Sequence, residues 1–377
     1  MPTSYWRAGD PIGRRQFVST GPLDLESGEK LPDAEVAYES WGEFTGDNAV
    51  LVEHALTGDS HVTGPAQPGH PTPGWWDGLI GPGRPLDTRH WFVLATNVLG
   101  GCQGTTGPSS LAADGTAFGS RFPRLTVRDQ VAAEIALADQ LGIARWRAVL
   151  GGSMGGMRAV EWGVSVPERV ERLILVACAA AATAEQIALC STQVHAIEAD
   201  PQWQGGDYYA DSPPTLTGRS GRPPLVGMGI ARRIAHISYR SELELGVRFG
   251  RSAQPSEDPL GTGRYAVESY LDYHAGKLGR RFDPGSYVNL TRAMNTHDVG
   301  RDRGTVASAL GRISAATTVV SISSDRLYLP TQQDELADGI AGAALHRIES
   351  PYGHDGFLIE TEAVGAVISE AMAQPGR

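Results

Sequence analysis

The run 148–160, AVLGGSMGGMRAV, most constrains how this chain can fold. Its first three residues are apolar, as at the end of a buried strand, and residues 158–162 continue in the pattern of a helix. Between them lies Gly-x-Ser-x-Gly, centred on Ser153. A turn from strand to helix within about one residue strains the serine, and Gly151 and Gly155 leave space for it. We therefore predict a sharp strand-to-helix turn that presents Ser153 as a nucleophile.

The same run has two other interpretations. A glycine-rich turn can merely contain a serine, and a glycine-rich loop can bind phosphate. No Gly-Lys-Ser or Gly-Lys-Thr follows, and the glycine spacing of the dinucleotide-binding loop is absent. The N–H groups that open the following helix favour negative charge nearby. The pattern thus favours a nucleophilic serine beside a site for an oxyanion, and the plain turn is the open alternative.

The composition is that of a large globular protein. Of the 377 residues, 41% are hydrophobic and 20% are charged, which are ordinary values. This length accommodates two domains, or one large domain with an insertion. No apolar run approaches the length of a membrane span, and a net charge of −11 argues against nucleic acid as a partner. We expect neither a membrane nor a nucleic-acid partner.

The N-terminus and the cysteines bear on the compartment. Residues 1–7, MPTSYWR, contain no apolar stretch of the signal-peptide type. The three cysteines, Cys102, Cys178 and Cys190, are odd in number and lack metal-ligand spacing, so we predict buried thiols. These features predict a cytoplasmic protein.

Two histidines, His54 and His61, lie in a loop rich in turn-forming residues. Long ordered loops in compact domains are commonly functional. With no third donor nearby, we nevertheless interpret both histidines as structural and predict no metal site. Cys102, in the next irregular loop, has no base visible beside it and is interpreted as structural too.

The order of the remaining patterns predicts an α/β fold. Residues 1–32 mix glycine, proline and charge, and we expect them to wrap the surface. Buried or half-buried strands are then predicted at 34–39, 49–52, 90–95, 148–150 and 173–176, with a helix at 126–141. Such alternation of apolar strands and helices indicates a mostly parallel sheet covered on both faces.

The pattern changes at residue 179. Helices are predicted at 183–198, 226–245 and 264–281, and no buried strand intervenes for about 120 residues, far beyond a normal crossover. We predict a core of residues 1–178 and 300–377 and a helical insertion of residues 179–299. A proline- and glycine-rich link at 212–224 is predicted to be mobile. Strands at 317–322 and 344–348 and a helix at 360–373 complete the chain.

A serine needs a base to take its proton and a third group to orient that base. In folds with this turn, the chain order is serine, then an acid, then histidine. Asp325 follows a predicted strand directly, at the edge where parallel sheets build their sites. His354 lies in a glycine-flanked loop after the last strand. Taken singly, Asp325 could instead cap a helix and His354 could be a surface residue.

Several segments resemble the signature segments of homoserine O-acetyltransferases, and the similarity covers nearly the whole chain. These segments are GGSMGG at 151–156, HALTGD at 54–59, NVLGGC at 97–102, TGPSS at 106–110, GHD at 353–355, DYY at 207–209 and ARRIAH at 231–236. The resemblance implies an α/β-hydrolase fold, a mostly parallel sheet with an inserted helical lid, and a homodimer joined through lid helices. It also implies acetyl transfer from acetyl-CoA to L-homoserine in methionine biosynthesis, with no permanently bound cofactor.

The residues and the resemblance together suggest roles. Ser153 would attack the thioester, with His354 as base and Asp325 orienting it, and the N–H groups of Met154 and Leu56 would bind the oxyanion. By resemblance, Arg232 would bind the homoserine carboxylate and Asp355 would bind the ammonium, with Tyr239 nearby. Without the resemblance, Arg232 would be read as a residue on the solvent-facing side of a helix.

Four alternatives stay open at this point. A plain serine esterase shares the three residues, although a long helical cover suits an enzyme that excludes water from its acyl intermediate. A succinyl donor or a serine acceptor would keep the same chemistry. A binding protein without catalytic activity would normally have lost one of the three residues, and none is missing here.

Overall fold

The computed structural model describes residues 5–210 and 221–374. Within these ranges the strands are β1 (Gln16–Asp24), β2 (Lys30–Trp41), β3 (Ala49–Glu53), β4 (Phe92–Thr96), β5 (Ala148–Gly152), β6 (Arg172–Val176), β7 (Ala316–Ile322) and β8 (Ala344–Ile348). The helices are α1 (Val127–Gln140), α2 (Met154–Ser165), α3 (Ala184–Glu198), α4 (Leu225–Tyr239), α5 (Glu242–Phe249), α6 (Ala266–Gly279), α7 (Pro284–Asn295), α8 (Val306–Leu310), α9 (Pro330–Gly339), α10 (Gly356–Ile359) and α11 (Thr361–Ala373).

The strands form one sheet in the order β1-β2-β4-β3-β5-β6-β7-β8. The pairs β1/β2 and β2/β4 are antiparallel, and the other neighbouring pairs are parallel. The mostly parallel sheet agrees with the predicted alternation. The prediction for residues 1–32 is wrong in part, because β1 is a regular edge strand that pairs with β2. It was missed because only Leu23 of β1 is buried, so the strand lacks an apolar pattern.

Both faces of the sheet are covered, as parallel strands require. On one face, Leu51, Val149 and Leu173 pack in a cluster with side chains from α1, α2 and α9. On the other face, Val52 and Leu150 pack with side chains of α11 and of the 62–86 segment. The consecutive residues of each central strand thus alternate between two cores, which explains why these strands read as continuous apolar runs.

The predicted strand-to-helix turn is present. All five residues of β5 are buried, and Ser153 follows with φ 58° and ψ −124° before α2 begins at Met154. A non-glycine residue with positive φ of this kind is strained and persists only where its surroundings hold it. Gly155 allows the close approach of a neighbouring segment, because a Cβ there would lie 2.1 Å from the carbonyl oxygen of Glu53.

Helices α3 to α7 lie between β6 and β7, where the helical insertion was predicted. The prediction of one helix over 226–245 is wrong, because α4 ends at Tyr239 and Arg240 is extended, with φ −102° and ψ 146°. Ser241 then caps α5 by accepting from the N–H of Glu244. The break is held by the loop before His354, since a Cβ on Gly353 would lie 2.7 Å from the Ser241 nitrogen.

Other predictions for this region have different outcomes. Helix α7 was not predicted, although Asp283 and Pro284 form a common helix start, with the carboxylate accepting from the Ser286 N–H. Residues 212–220 of the predicted mobile link lie outside the described residues. The domain limits at 178/179 and 299/300 stay a prediction.

Among the helices of the described ranges, none combines the length and the apolar character needed to cross a membrane.

Candidate active site

Three predicted side chains lie in one hydrogen-bonded line. The Ser153 hydroxyl is 2.9 Å from Nε2 of His354, and Nδ1 of His354 is 2.7 Å from Oδ2 of Asp325. All three residues are buried. In the neutral imidazole, Nδ1–H donates to the carboxylate and Nε2 accepts from the hydroxyl, which is the tautomer that a general base needs.

The fold positions each member of this line. Asp325 lies just past β7, and its Oδ1 accepts from the N–H groups of Leu327 and Tyr328 at 2.8 and 2.9 Å. These two bonds fix the carboxylate so that its other oxygen faces the imidazole. The His354 ring is flanked by the rings of Tyr328 and Phe357, with centroids 5.0 and 5.3 Å away. The imidazole is therefore held both by hydrogen bonds and by packing.

The two amides predicted for the oxyanion lie on segments that meet beside Ser153. Met154 is the first residue of α2, so its N–H has no partner within the helix. Leu56 lies in the loop after β3, which pairs with β5. Neither N–H has a hydrogen-bond acceptor in the part of the chain that the structure describes. Leu56 and Met154 also belong to one apolar cluster.

Arg232 lies near the imidazole through an aromatic neighbour. Its guanidinium carbon is 5.5 Å from the ring centroid of Tyr239, which in turn is 5.8 Å from that of His354. The Nε and Nη1 atoms of Arg232 are inaccessible to solvent and lack a hydrogen-bond partner among residues 5–210 and 221–374. Arg233, the next residue, is exposed and pairs with Asp272. The two adjacent arginines therefore have different surroundings.

Asp355 forms an ion pair with Arg240, a residue that the sequence analysis did not single out. Arg240 lies in the break between α4 and α5, and its Nε is 3.1 Å from Oδ2 of Asp355. Burial raises the pKa of Asp355, while the charges of Arg240, His354 and Arg232 oppose this shift. Nothing in the local sequence marked Arg240, since its position depends on the break in the predicted helix.

The histidines of the 54–74 loop are engaged in hydrogen bonds. His54 Nε2 accepts from the Val98 N–H at 3.0 Å. His61 and His70 stack with centroids 3.9 Å apart, and both lie next to Glu39, so these three buried residues have the donor set of a metal site. The expectation that no third donor lies near these histidines is wrong, because Glu39 supplies one, and the absence of a metal site stays a prediction. His61 also contacts the Pro65 carbonyl through Nε2, which fits a protonated ring bound to Glu39.

All three cysteines are free and buried, as predicted. Burial raises the pKa of each thiol, and for Cys190 to about 12. Cys102 is additionally occupied as an acceptor for the N–H of Asp283 at 3.5 Å. A protonated, enclosed thiol is a poor nucleophile, so the structural interpretation of Cys102 is maintained.

The fold and the geometry define the class of the protein. A serine on a strained strand-to-helix turn, followed along the chain by an aspartate and a histidine, is typical of α/β-hydrolases. The family model described as the alpha/beta hydrolase fold matches residues 48–361. The chain is an α/β-hydrolase, and the predicted fold class is confirmed.

Comparison with individual proteins narrows this class. The homoserine O-acetyltransferase of Thermobifida fusca is 61% identical over 376 residues, which span 99% of this chain and 97% of that protein. The chain belongs to the homoserine O-acetyltransferase family, as the resemblance implied, and is an acyltransferase.

Solved structures agree on the fold. The homoserine O-acetyltransferase of Bacillus anthracis superposes with a TM-score of 0.87 at 24% identity, covering 96% of this chain and 98% of that one. Esterase E22 superposes with a TM-score of 0.84 at 25% identity, covering 95% of this chain and 99% of its own. The same fold thus carries both transferases and esterases, and the acceptor must be decided from the site.

Proposed function

We propose that this chain transfers an acetyl group from acetyl-CoA to the hydroxyl of L-homoserine, as a step of methionine biosynthesis. The observation that carries the proposal is Arg232, whose Nε and Nη1 are enclosed and lack a partner among the described residues. Its neighbour Tyr239 lies beside the ring of His354. An amino-acid acceptor brings a carboxylate that can pair with this cation, whereas water as the acceptor brings none. Family membership supports the same donor and acceptor.

The first half-reaction acylates the serine. His354 takes the hydroxyl proton while Oγ of Ser153 attacks the thioester carbonyl, and the resulting oxyanion is bound by the N–H groups of Met154 and Leu56. The intermediate collapses, the carbon–sulfur bond breaks, and the proton held by His354 passes to the departing thiolate. Acetyl-Ser153 remains. No permanently bound cofactor is needed for this step.

The second half-reaction reverses these roles. His354 takes the proton of the homoserine hydroxyl, whose oxygen attacks the acetyl carbonyl. Collapse of the second oxyanion releases O-acetylhomoserine and returns the proton to Ser153. Arg232 binds the acceptor carboxylate, and Asp355, with one oxygen beside Arg240, offers the other to the ammonium. Tyr239 packs against Arg232 and limits the space available to the acceptor.

A substrate panel tests this proposal. Purified protein is given acetyl-CoA or succinyl-CoA with L-homoserine, L-serine or water alone, and thiol release is followed together with the mass of the product. We expect the fastest release with acetyl-CoA and L-homoserine, and parallel lines in double-reciprocal plots because the acyl-enzyme separates the two substrates. Continuous thiol release over many turnovers without an amino acid would identify an esterase instead. Faster turnover with succinyl-CoA or L-serine would reassign the donor or the acceptor.

We also infer a cytoplasmic homodimer. Helix α4 exposes Val226, Ile230 and Ile237 by 74, 44 and 46%, an apolar surface of the kind that interfaces cover. The double variant Val226→Glu/Ile230→Glu is expected to be monomeric by light scattering. Leu260→Glu is the matched control, since Leu260 is 95% exposed in a loop outside α4. A dimer that survives the double variant would place the interface elsewhere.

A further inference from the structure

A fully buried group of charges adjoins the serine's helix and takes no direct part in the chemistry described above. It consists of Glu53 at the end of β3, Glu134 on α1 and Arg158 on α2, and we call it the Arg158 cluster. Nη1 of Arg158 lies 2.5 Å from Oε2 of Glu53 and 2.6 Å from Oε1 of Glu134. Enclosing charges costs on the order of several kcal/mol per ion, so such a cluster calls for an explanation.

The two carboxylates of the cluster have different partners. Glu134 accepts from the Thr96 hydroxyl and the Trp162 indole N–H, both at 3.0 Å. Burial raises the pKa of Glu53 well above its usual range; Arg158 opposes this shift, and Glu134 adds to it. Because burial favours the protonated form of Glu53, the core has less charge to enclose, which helps the cluster to persist there.

The second terminal nitrogen of Arg158 reaches the loop that follows β3. Nη2 donates to the carbonyl oxygen of His54 at 2.8 Å. The His54 ring secures the same residue from another side, since its Nε2 accepts from the Val98 N–H and its Nδ1 contacts the Ala55 carbonyl at 2.7 Å. Burial lowers the pKa of His54 to about 3, so the ring stays neutral and keeps these bonds. The loop that carries Leu56 is thus attached at its start from two sides.

This attachment connects the loop to the first turns of α2. A Cβ on Gly155 would lie 2.1 Å from the Glu53 carbonyl oxygen and 3.0 Å from that of His54, so the loop and the helix are in close backbone contact. Met154 precedes this glycine, and Arg158 lies one turn further along the same helix. Displacing a catalytic group by about 1 Å can cost about 100-fold in rate, so a bond across this contact has catalytic consequences.

We propose that Arg158 is a positioning residue for acyl transfer, which holds the Leu56 amide in register with the Met154 amide and Ser153. The inference rests on the proposed function, because it assumes that both amides bind the oxyanion. Arg158 touches no substrate and acts through the His54 carbonyl. If this bond is lost, homoserine still binds, but the oxyanion of each half-reaction is less well stabilised.

Three measurements on Arg158→Lys test the proposal. Lysine retains the charge, but a single ammonium cannot reproduce the fork that serves both carboxylates and the His54 carbonyl. The measurements are the rate of thiol release in the acylation burst, the KM for homoserine, and the affinity for a trifluoromethyl ketone analogue of the acetyl thioester, which Ser153 converts to an oxyanion. Arg172→Lys is the matched control, because Arg172 is equally buried but lies at the start of β6 and contacts Glu171 and the Gln374 carbonyl.

The expected result is a split between rate and acceptor affinity. Arg158→Lys should lower the acylation rate and the ketone affinity by about 100-fold each, as loss of an oxyanion donor does. Its KM for homoserine should stay within about twofold of the original value, because uniform binding is untouched. Arg172→Lys should retain the original rates. Equal losses in both lysine variants, or an unchanged ketone affinity in Arg158→Lys, would overturn the proposal. Original protein that releases no thiol at all would contradict the proposed function instead.

A second variant covers the case in which Arg158→Lys does not fold. The triple variant Arg158→Met/Glu53→Gln/Glu134→Gln leaves no uncompensated buried charge, and replacements of this kind are often tolerated. It is expected to give the circular dichroism spectrum of the original protein and the same loss of burst rate. A folded triple variant with the original rate would overturn the proposal. Failure of both variants to fold would do so too, because Arg158 would then be a residue required for stability.

Discussion

The turn that carries Ser153 and the helix that carries Arg232 are held in place in different ways. Every residue from 148 to 164 is buried, and β5 is paired on both sides by neighbouring strands. Helix α4, in contrast, exposes Val226 and Ile237 and is buried on one side only. The serine therefore depends on backbone that belongs to the core, whereas Arg232 depends on one side chain of a partly exposed helix.

This difference fits the role that we propose for each region. An oxyanion lasts only briefly and must be met by donors that do not reorganise, so its site is best built from buried backbone. Recognition of a small amino acid needs only a few charges in the right places. We expect that changes near α4 alter the acceptor without unfolding the protein, whereas changes that crowd the backbone of the turn, as at Gly155, affect folding and both half-reactions.

The largest effect is expected from Ser153→Ala. Removing the nucleophile should lower turnover by about 10⁵-fold, because the whole acyl-enzyme route is lost while oxyanion and substrate binding persist. The fold should be unaffected, as judged by thermal unfolding. The control is Ser369→Ala on α11, whose hydroxyl donates to the Gly365 carbonyl of its own helix at 2.9 Å. Undiminished thiol release by Ser153→Ala would contradict the proposed acyl-enzyme mechanism.

A pair of glycine substitutions compares the packing of the two regions. Gly155→Ala should cost about 3 kcal/mol or more, because its methyl group would overlap backbone that cannot move. Gly229→Ala in α4 should stabilise the protein by about 0.5 to 1 kcal/mol, since its methyl group would make an ordinary contact with Ala275 at 3.6 Å and alanine favours helix. Urea unfolding of both variants provides the measurement. Similar losses in the free energy of unfolding at both glycines would contradict the difference in packing between the two regions.

Arg232→Gln tests whether recognition is separable from chemistry. Loss of the guanidinium should lower kcat/KM for homoserine by about 100-fold, the typical effect of removing one partner of an enclosed charge pair. The acylation burst with acetyl-CoA should stay near its original rate. Arg233→Gln, on the same helix but exposed and paired with Asp272, should change neither quantity. An acylation burst that falls as far as homoserine use would show that the two regions are coupled.

The smallest effect is expected in the pH dependence of the free energy of unfolding. Burial lowers the pKa of His54 to about 3 near the turn, and burial together with the charge of Arg232 lowers that of His274 to about 4 beside α4. A folded-state pKa below the unfolded value means that the unfolded chain binds more protons. The contribution of these histidines to the free energy of unfolding is therefore complete above about pH 6.5 and is lost as the pH falls. His54 alone should contribute a loss of about 1 kcal/mol between about pH 7.5 and about pH 5.5.

Urea unfolding at the two pH values measures this loss. His61 opposes it: burial works against protonation there, but the hydrogen bond to Glu39 raises the pKa of His61. His274→Gln should reduce the pH dependence, because this variant removes one of the neutral histidines. A free energy of unfolding that rises on acidification would contradict the assigned protonation states.

Predictions from sequence succeeded where the information is local. The turn at Ser153 was predicted because apolar residues, two glycines and a helical pattern adjoin one another. Asp325 and His354 were singled out because each follows a strand, and the structure brings both to the serine. The edge strand β1 was missed because its side chains are mostly exposed or half-buried, so no apolar alternation marks it.

Predictions failed where distant segments decide the conformation. Residues 226–245 have a continuous helical pattern, yet the loop at Gly353 packs against this segment and favours an extended Arg240. That break is what allows Arg240 to contact Asp355. Arg158 reads as an ordinary helix residue, and only the approach of β3 and α1 surrounds it with carboxylates.

The sequence by itself determined the order of strands and helices, the strained serine and the identity of its two partners, because periodicity and turn chemistry act within a few residues. Tertiary structure decided which charges are paired and which are left unpaired, because the energy of a charge depends on neighbours that the chain brings from far away. Arg232 and Arg233 are adjacent along the chain, and packing alone encloses two nitrogens of the first and leaves the second exposed.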